Sequence, residues 1–182
     1  MLVPIREEDG FVLDIRYATA DNPAQRALYT RPAALVLPPA YALLMRANAR
    51  ARALGLRLRI FDAFRPVEAQ WALWHAIPDK RFVADPRQGG LHSRGAAVDL
   101  TLEDAASGES LPMGTGFDAM TESSAHDSID VAAEAQRNRA LLLGLMTAAG
   151  WGNFRLEWWH YHLLDAKRHP PLCAAAVAGG PM

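Results

Sequence analysis

Two short segments carry the residues best suited to chemistry. In His92-Ser93-Arg94-Gly95-Ala96-Ala97-Val98-Asp99, a histidine and a carboxylate have six residues between them; in Glu157-Trp158-Trp159-His160-Tyr161, a glutamate stands three positions before a histidine. Two imidazoles and one aspartate can fill three of the four tetrahedral positions around zinc. The fourth is left for water, which is the arrangement of a catalytic site rather than a closed structural one. Neutral imidazole and carboxylate are both available as ligands near pH 7. Glu157 is then a spare carboxylate and a candidate general base. The chemistry expected is metal-assisted hydrolysis, although the same donors also suit non-haem iron.

Arg65, in Asp62-Ala63-Phe64-Arg65-Pro66, is a candidate for stabilising an oxyanion, a contribution of about 3–4 kcal/mol where such a donor has been removed. By strand alternation Asp62 shares a face with Leu56, Leu58 and Ile60. A carboxylate on an apolar face needs a partner, so Asp62 is expected to orient Arg65 or a ligand histidine. Glu157 and His160 pose a geometric condition. Residues three apart on a flat strand point to opposite faces, so Glu157 must sit at an irregular strand start or a bulge. His162 shares the face of His160 and is a rival ligand, more simply read as a partly exposed strand histidine. Trp158 and Trp159 read as core packing, with one of them placed to wall a pocket.

The elements that must position these residues can be read from periodicity. Pro38-Pro39 opens an Ala/Leu/Arg-rich stretch that Gly55 closes, a helix by its stop and start signals. Leu56, Leu58 and Ile60 alternate with Arg57 and Arg59, a strand with one buried face. Residues 66–77 read as a second helix with Pro66 in its first turn. Asp130 is a candidate N-cap for a third, with Leu141, Leu142, Leu145 and Met146 on its apolar face and Gly150 at its end. Residues 97–102 and 157–163 read as strands. These elements predict an α+β domain: a small, mainly antiparallel sheet, helices packed on one face, and the zinc site on the other.

Bulk properties exclude several alternatives. A length of 182 residues fits one domain, expected to span 1–182 with a tail that frays from about Ala174. The net charge of −1 offers no electrostatic case for nucleic acid or an anionic membrane. Cys173 is the single cysteine, which rules out an intrachain disulfide and a Cys-rich zinc site. The first ten residues include Glu7, Glu8 and Asp9 and lack the pattern of a secretory signal, so a cytoplasmic location is expected. No stretch approaches the roughly 18 apolar residues of a membrane span. Nothing predicts an oligomer.

Taken together, these segments resemble the D-alanyl-D-alanine dipeptidases, the zinc enzymes that include the vancomycin-resistance dipeptidase. The resemblance covers most of the chain: Tyr17-Ala18-Thr19 with Asp21-Asn22, Asp62-Ala63-Phe64-Arg65-Pro66, His92-Ser93-Arg94-Gly95, Val98-Asp99-Leu100-Thr101-Leu102, Pro112-Met113-Gly114-Thr115 with Phe117-Asp118, Glu134-Ala135-Gln136 and Glu157-Trp158-Trp159-His160-Tyr161. It implies one zinc ion per chain on His92, Asp99 and His160. It implies that Glu157 is base and acid, that Arg65 supports the intermediate, and that Tyr17 and Asp118 hold the free amine of a small dipeptide. A carboxylate on the amine rejects longer peptides, whose amine is acylated.

The resemblance departs at Gly89-Gly90-Leu91, where the family usually carries a serine associated with the substrate carboxylate. Ser93 or glycine N–H groups are expected to take over that contact. The rival readings are a D,D- or L,D-carboxypeptidase of longer wall peptides and a zinc-stabilised binding module without catalysis. Tyr17 and Asp118 disfavour the first; Glu157 and Arg65 disfavour the second.

Overall fold

The computed structural model describes residues 1–182. Its regular elements are β1 (Val3–Pro4), β2 (Val12–Leu13), β3 (Leu35–Val36), α1 (Pro38–Ala53), β4 (Leu56–Asp62), α2 (Val67–Ala76), β5 (Ala97–Asp104), α3 (Ala133–Ala149), β6 (Gly152–Asn153) and β7 (His160–His162). Five strands form one sheet in the order β2-β4-β5-β7-β6, and β1 pairs with β3 separately. β2 runs parallel to β4; the other pairings of the large sheet are antiparallel. The expected α+β class, with a mainly antiparallel sheet, is therefore the observed one. No helix is long and apolar enough to cross a membrane.

Cross-strand register sorts the sheet into two faces. Leu58 lies opposite Leu102, Ile60 opposite Leu100, and Val98 opposite Tyr161. All six side chains are fully buried. This face packs under α1 and α3, which also pack on each other. α1 buries Ala40, Leu44, Ala47 and Ala51, spaced along one helical stripe. α3 buries Ala135, Leu142, Leu145, Met146 and Ala149, and Gly150 ends it at φ 109°. The opposite face pairs Arg57 with Glu103, Arg59 with Thr101, Asp99 with His160 and Ala97 with His162. It carries nearly all of the sheet's charge, including Asp99 and His160.

Four local expectations give way. The register between β4 and β5 shifts between Ile60 and Asp62, where two steps along β4 meet one along β5. Such a bulge reverses the alternation. Asp62 therefore joins Asp99 on the polar face instead of sharing the apolar face of Ile60. α3 starts at Ala133 with Ala132 as its N-cap, not at Asp130. The Gln136 side chain donates to the carbonyls of Ile129 and Val131, which keeps that approach out of the helix. Pro66 is the N-cap of α2 and not part of its first turn. The tail is held rather than frayed: Arg31 Nε donates to Gly180 O at 2.6 Å and Thr30 N–H to Pro181 O at 2.8 Å. Leu172 and Val177 pack on the small apolar cluster of Leu2, Leu35 and Phe64, which anchors the segment leading into it.

Candidate active site

Asp99 and His160 are direct cross-strand partners on β5 and β7, so both project from the polar face. His92 stands in the 3-10 turn His92–Arg94, and Gly95 at φ 65° turns the chain from it into β5. A Cβ at Gly95 would meet the tip of Leu2 at 2.5 Å and force it to shift, and the left-handed backbone itself favours glycine. The result is a triangle of lone-pair atoms. His92 Nε2 lies 3.1 Å from His160 Nδ1 and 3.2 Å from Asp99 Oδ1, and His160 Nδ1 lies 3.1 Å from Asp99 Oδ1.

These three donors could hold a metal ion. Ligand bonds of about 2.0–2.1 Å in a tetrahedral site place neighbouring donors about 3.3–3.4 Å apart, so the triangle is close to one face of that tetrahedron. The His92 tautomer suits the role: Nδ1 donates to Ala63 O at 2.7 Å, which turns the Nε2 lone pair inward. Burial alone would raise the Asp99 carboxyl, but the two imidazoles outweigh it and hold Asp99 well below the usual carboxylate range. Burial also pulls His160 below its ordinary value, which keeps it neutral and able to ligate.

Behind the triangle lies a buried network. Arg65 Nη2 donates to the second oxygen of Asp99 at 3.3 Å, Nε to Asp62 Oδ2 at 2.8 Å, and Nη1 to Gln70 Oε1 at 3.1 Å. Tyr29 donates to Asp62 Oδ1 at 2.7 Å. The guanidinium also lies 4.7 Å from the centre of the Tyr17 ring. Burial opposes the charge on Arg65, yet Tyr17, Asp62, Tyr29 and Asp99 outweigh it and hold the side chain protonated. The bulge at Asp62 is what makes this network possible, because without it the carboxylate would face the helices.

Glu157 precedes β7 in a turn, with its N–H on Phe154 O and its carbonyl accepting from His160 N–H. That irregular start meets the geometric condition set by the three-residue spacing. Glu157 Oε2 comes within 3.9 Å of His160 Nδ1. Burial, then the charges of Asp99 and Asp118, push its pKa well above the usual carboxylate range. Tyr17 donates to Asp118 Oδ2 at 2.8 Å across 101 residues of sequence. Asp118 takes a left-handed φ of 58°, a conformation that non-glycine residues adopt at a cost. Burial raises its pKa to about 7 despite Arg65.

A cavity of about 390 Å³ joins these groups. Tyr17, Arg65, His92, Asp99, Asp118, Glu157 and His160 all line it. Trp159 is the tryptophan that walls it, fixed edge-to-face against Phe117 and Trp158. Trp158 turns away and donates to Thr115 Oγ1 at 2.8 Å. His162 lines the cavity as well but lies outside the donor triangle. Ser93 is the expected residue that is not brought in. It follows His92 in the tight turn, points into the interior with no exposure, and its hydroxyl meets no partner. Gly90, in contrast, does line the cavity.

Gln70 and Tyr29 escape a reading by motif, and so does the wall formed by residues 80–85. Gln70 carries a faint signal, a polar residue between Ala69 and Leu73 on the buried side of α2. Tyr29 and the wall segment carry none.

Residues 8–177 match the family profile described as D-ala-D-ala dipeptidase. The chain is 42% identical over 160 residues to the D-alanyl-D-alanine dipeptidase of Escherichia coli, covering 88% of this chain and 82% of that protein. It is 35% identical over 184 residues to the dipeptidase of that name from Streptomyces coelicolor, covering 88% and 89% respectively. With that of Enterococcus faecalis it shares 31% over 183 residues, covering 86% and 87%. A match over nearly the whole length, with a cavity that gathers three donors able to hold a metal ion, places the chain in the D-alanyl-D-alanine dipeptidase family of metallopeptidases.

Proposed function

We propose that this protein hydrolyses D-alanyl-D-alanine, or a close D,D-dipeptide, to free amino acids with one zinc ion on His92, Asp99 and His160. The observation that carries the reading is the placement of a carboxylate, Asp118, on the wall of the cavity that holds the donor triangle. Zinc bound there would supply a Lewis acid that acidifies water from a pKa of about 15.7 toward about 7 and polarises the scissile carbonyl. Glu157 takes a proton from the attacking water as the new C–O bond forms. It returns that proton to the amide nitrogen as the C–N bond breaks, and D-alanine leaves as the free amine. Arg65 holds Asp99 through Nη2 and keeps one Nη1 hydrogen beyond its bond to Gln70 for the developing oxyanion. Asp118, oriented by Tyr17, receives the substrate ammonium.

The test is hydrolysis of D-Ala-D-Ala, L-Ala-L-Ala and a tripeptide ending in D-Ala-D-Ala, each with and without chelator. Chelator-sensitive turnover confined to the D,D-dipeptide supports the reading; turnover confined to the tripeptide transfers it to the carboxypeptidases. Metal analysis of freshly purified protein separates zinc from iron.

The Asp118 role predicts a pH effect. Ammonium binding needs the carboxylate, so KM rises as pH falls and Asp118 takes up its proton. The inflection lies at or below about 7 in the metal-loaded enzyme, because the cation favours the charged form. KM should climb about tenfold per pH unit below the inflection. Asp118→Asn, which tolerates the left-handed backbone, should raise KM at pH 8 and flatten its profile. A variant whose KM still climbs in acid removes Asp118 from the amine contact.

Gly90 offers a second prediction. A Cβ there would meet Ala84 Cβ at 3.4 Å and Gln70 Oε1 at 3.5 Å, which is ordinary contact, so Gly90→Ser is accommodated. If its hydroxyl reaches the substrate carboxylate, KM falls about tenfold while kcat stays within about twofold. Steady-state kinetics that return an unchanged KM would count against a carboxylate seat beside Gly90.

A further inference from the structure

Of the two buried arginines, Arg65 and Arg139, only the first lines the cavity. Arg139 falls on the buried stripe of α3, between Ala135 and Leu142, where packing alone would place an apolar residue. A buried ion is often no better for stability than an apolar side chain of like volume, so the charge calls for another explanation. All of its acceptors are neutral. Nε donates to Met113 O at 2.6 Å, Nη1 to Ser123 O at 2.8 Å and Ala125 O at 3.1 Å, and Nη2 to Thr115 Oγ1 at 3.3 Å. These acceptors stand at the two ends of one loop. Between Met113 and Thr121 no residue belongs to a helix or strand, and Asp118 stands midway with its left-handed φ of 58°. Without a hydrogen-bonded ladder such a loop takes its shape from its anchors. Asn138 gives the start a second hold, on Pro112 O at 2.8 Å. At the far end no other side chain donates to Ser123 O or Ala125 O.

We propose that Arg139 is the positioning residue that holds Asp118 in place for the substrate ammonium, by fastening both ends of the loop that carries it. The inference rests on the dipeptidase reading, in which Asp118 meets the amine. Tyr17 orients the carboxylate at its tip, and Arg139 fixes the backbone beneath it. Glu157 stands largely apart from this effect. The guanidinium lies 5.9 Å from the centre of the Trp158 ring, next to Glu157 in sequence. Trp158 is also held by its own bonds, N–H to Ser124 O at 3.0 Å and Nε1 to Thr115 Oγ1 at 2.8 Å, and neither passes through Arg139. Loss of Arg139 is therefore felt in KM more than in kcat.

The test measures kcat and KM on D-Ala-D-Ala at pH 8 with the metal-loaded full chain. Wild type is compared with Arg139→Met, Arg139→Lys, Asp118→Asn and each Arg139 substitution combined with Asp118→Asn. Methionine fills the space of the arginine stem without its donors. Lysine restores a charge that reaches part of the carbonyl set. KM should rise about tenfold in Arg139→Met and about threefold in Arg139→Lys, with kcat within about threefold of wild type. Asp118→Asn should raise KM about 30-fold, and adding either Arg139 substitution should raise it by less than about twofold more, because the contact that Arg139 serves is already gone. An arginine that only stabilised the fold would lower the active fraction, and hence kcat, while KM stayed in place. An unchanged KM in both single Arg139 variants overturns the proposal, and so does a rise that multiplies in full on the Asp118→Asn background. If Arg139→Met fails to fold, Arg139→Lys and its double variant decide. An unchanged KM in Asp118→Asn overturns the ammonium contact and the role of Arg139 with it. A wild type inactive on D-Ala-D-Ala overturns the dipeptidase reading itself, whereas normal dipeptide turnover beside an unmoved KM in the Arg139 variants overturns the role of Arg139 alone.

Discussion

Glu157→Gln is expected to fold and bind metal as the wild type does while kcat falls by about 10³–10⁴-fold, the upper part of the range for a lost general acid–base. The substitution keeps shape and removes only the ability to carry a proton. Glu157 is not one of the three triangle atoms, so the ligand set is untouched. Its carboxylate stands 3.9 Å from His160 Nδ1, beside the triangle rather than within it. Burial and the negative charges of Asp99 and Asp118 raise its pKa, which makes it a stronger base than an exposed glutamate. The same shift suits the proposed later task as an acid toward the leaving amine. Because proton transfer belongs to the transition state, KM should change little. The acid limb of the kcat profile that belongs to Glu157 should vanish as well. Kinetics beside metal analysis check this, and a metal-replete variant with near-normal kcat removes Glu157 from the role.

The parts of the site that sequence reading reached are those set by short spacing. His92 and Asp99 are joined by one turn and one strand, and Glu157 and His160 by one turn. The condition on Glu157, an irregular strand start, followed from side-chain alternation and was met. Asp62 shows where such counting stops. Its face was assigned by parity, and one bulged residue reversed that parity. No residue type announces the bulge, because Phe61 is as apolar as its neighbours. The pairing of Tyr17 with Asp118 spans 101 residues and depends on the whole fold, so only resemblance to a family pointed to it. Ser93 is the expected stand-in for the family's serine, but adjacent residues in a tight turn diverge, and the one that serves the cavity hides the other. The tail was judged by its small side chains; its hold comes from backbone carbonyls that meet Thr30 and Arg31, which composition does not encode.

Removing the metal is expected to abolish turnover altogether and to lower the melting temperature. Three lone-pair atoms 3.1–3.2 Å apart are mutually compatible when a cation lies among them. Asp99 and His160 are cross-strand partners on β5 and β7, so withdrawing an ion bound to both acts on those strands directly. A ligand present at about 1,000 times its Kd stabilises a fold by about 4 kcal/mol, and chelation withdraws that amount. Activity should return on adding one equivalent of zinc per chain. The pH dependence has a definite sign. Ligation needs neutral imidazole, so affinity falls as pH falls and the histidines take up protons. Because burial lowers the His160 pKa, its share of that loss begins at a more acid pH than for an exposed histidine. His92→Ala should imitate chelation in activity but resist rescue by stoichiometric zinc, since two donors remain where three are needed. Asp99→Asn should do more damage to stability, because it also leaves the buried Arg65 with one carboxylate fewer. Thermal melts and zinc titrations of the three forms distinguish these outcomes. A chelated wild type that keeps both its activity and its melting temperature would show that the triangle holds no metal.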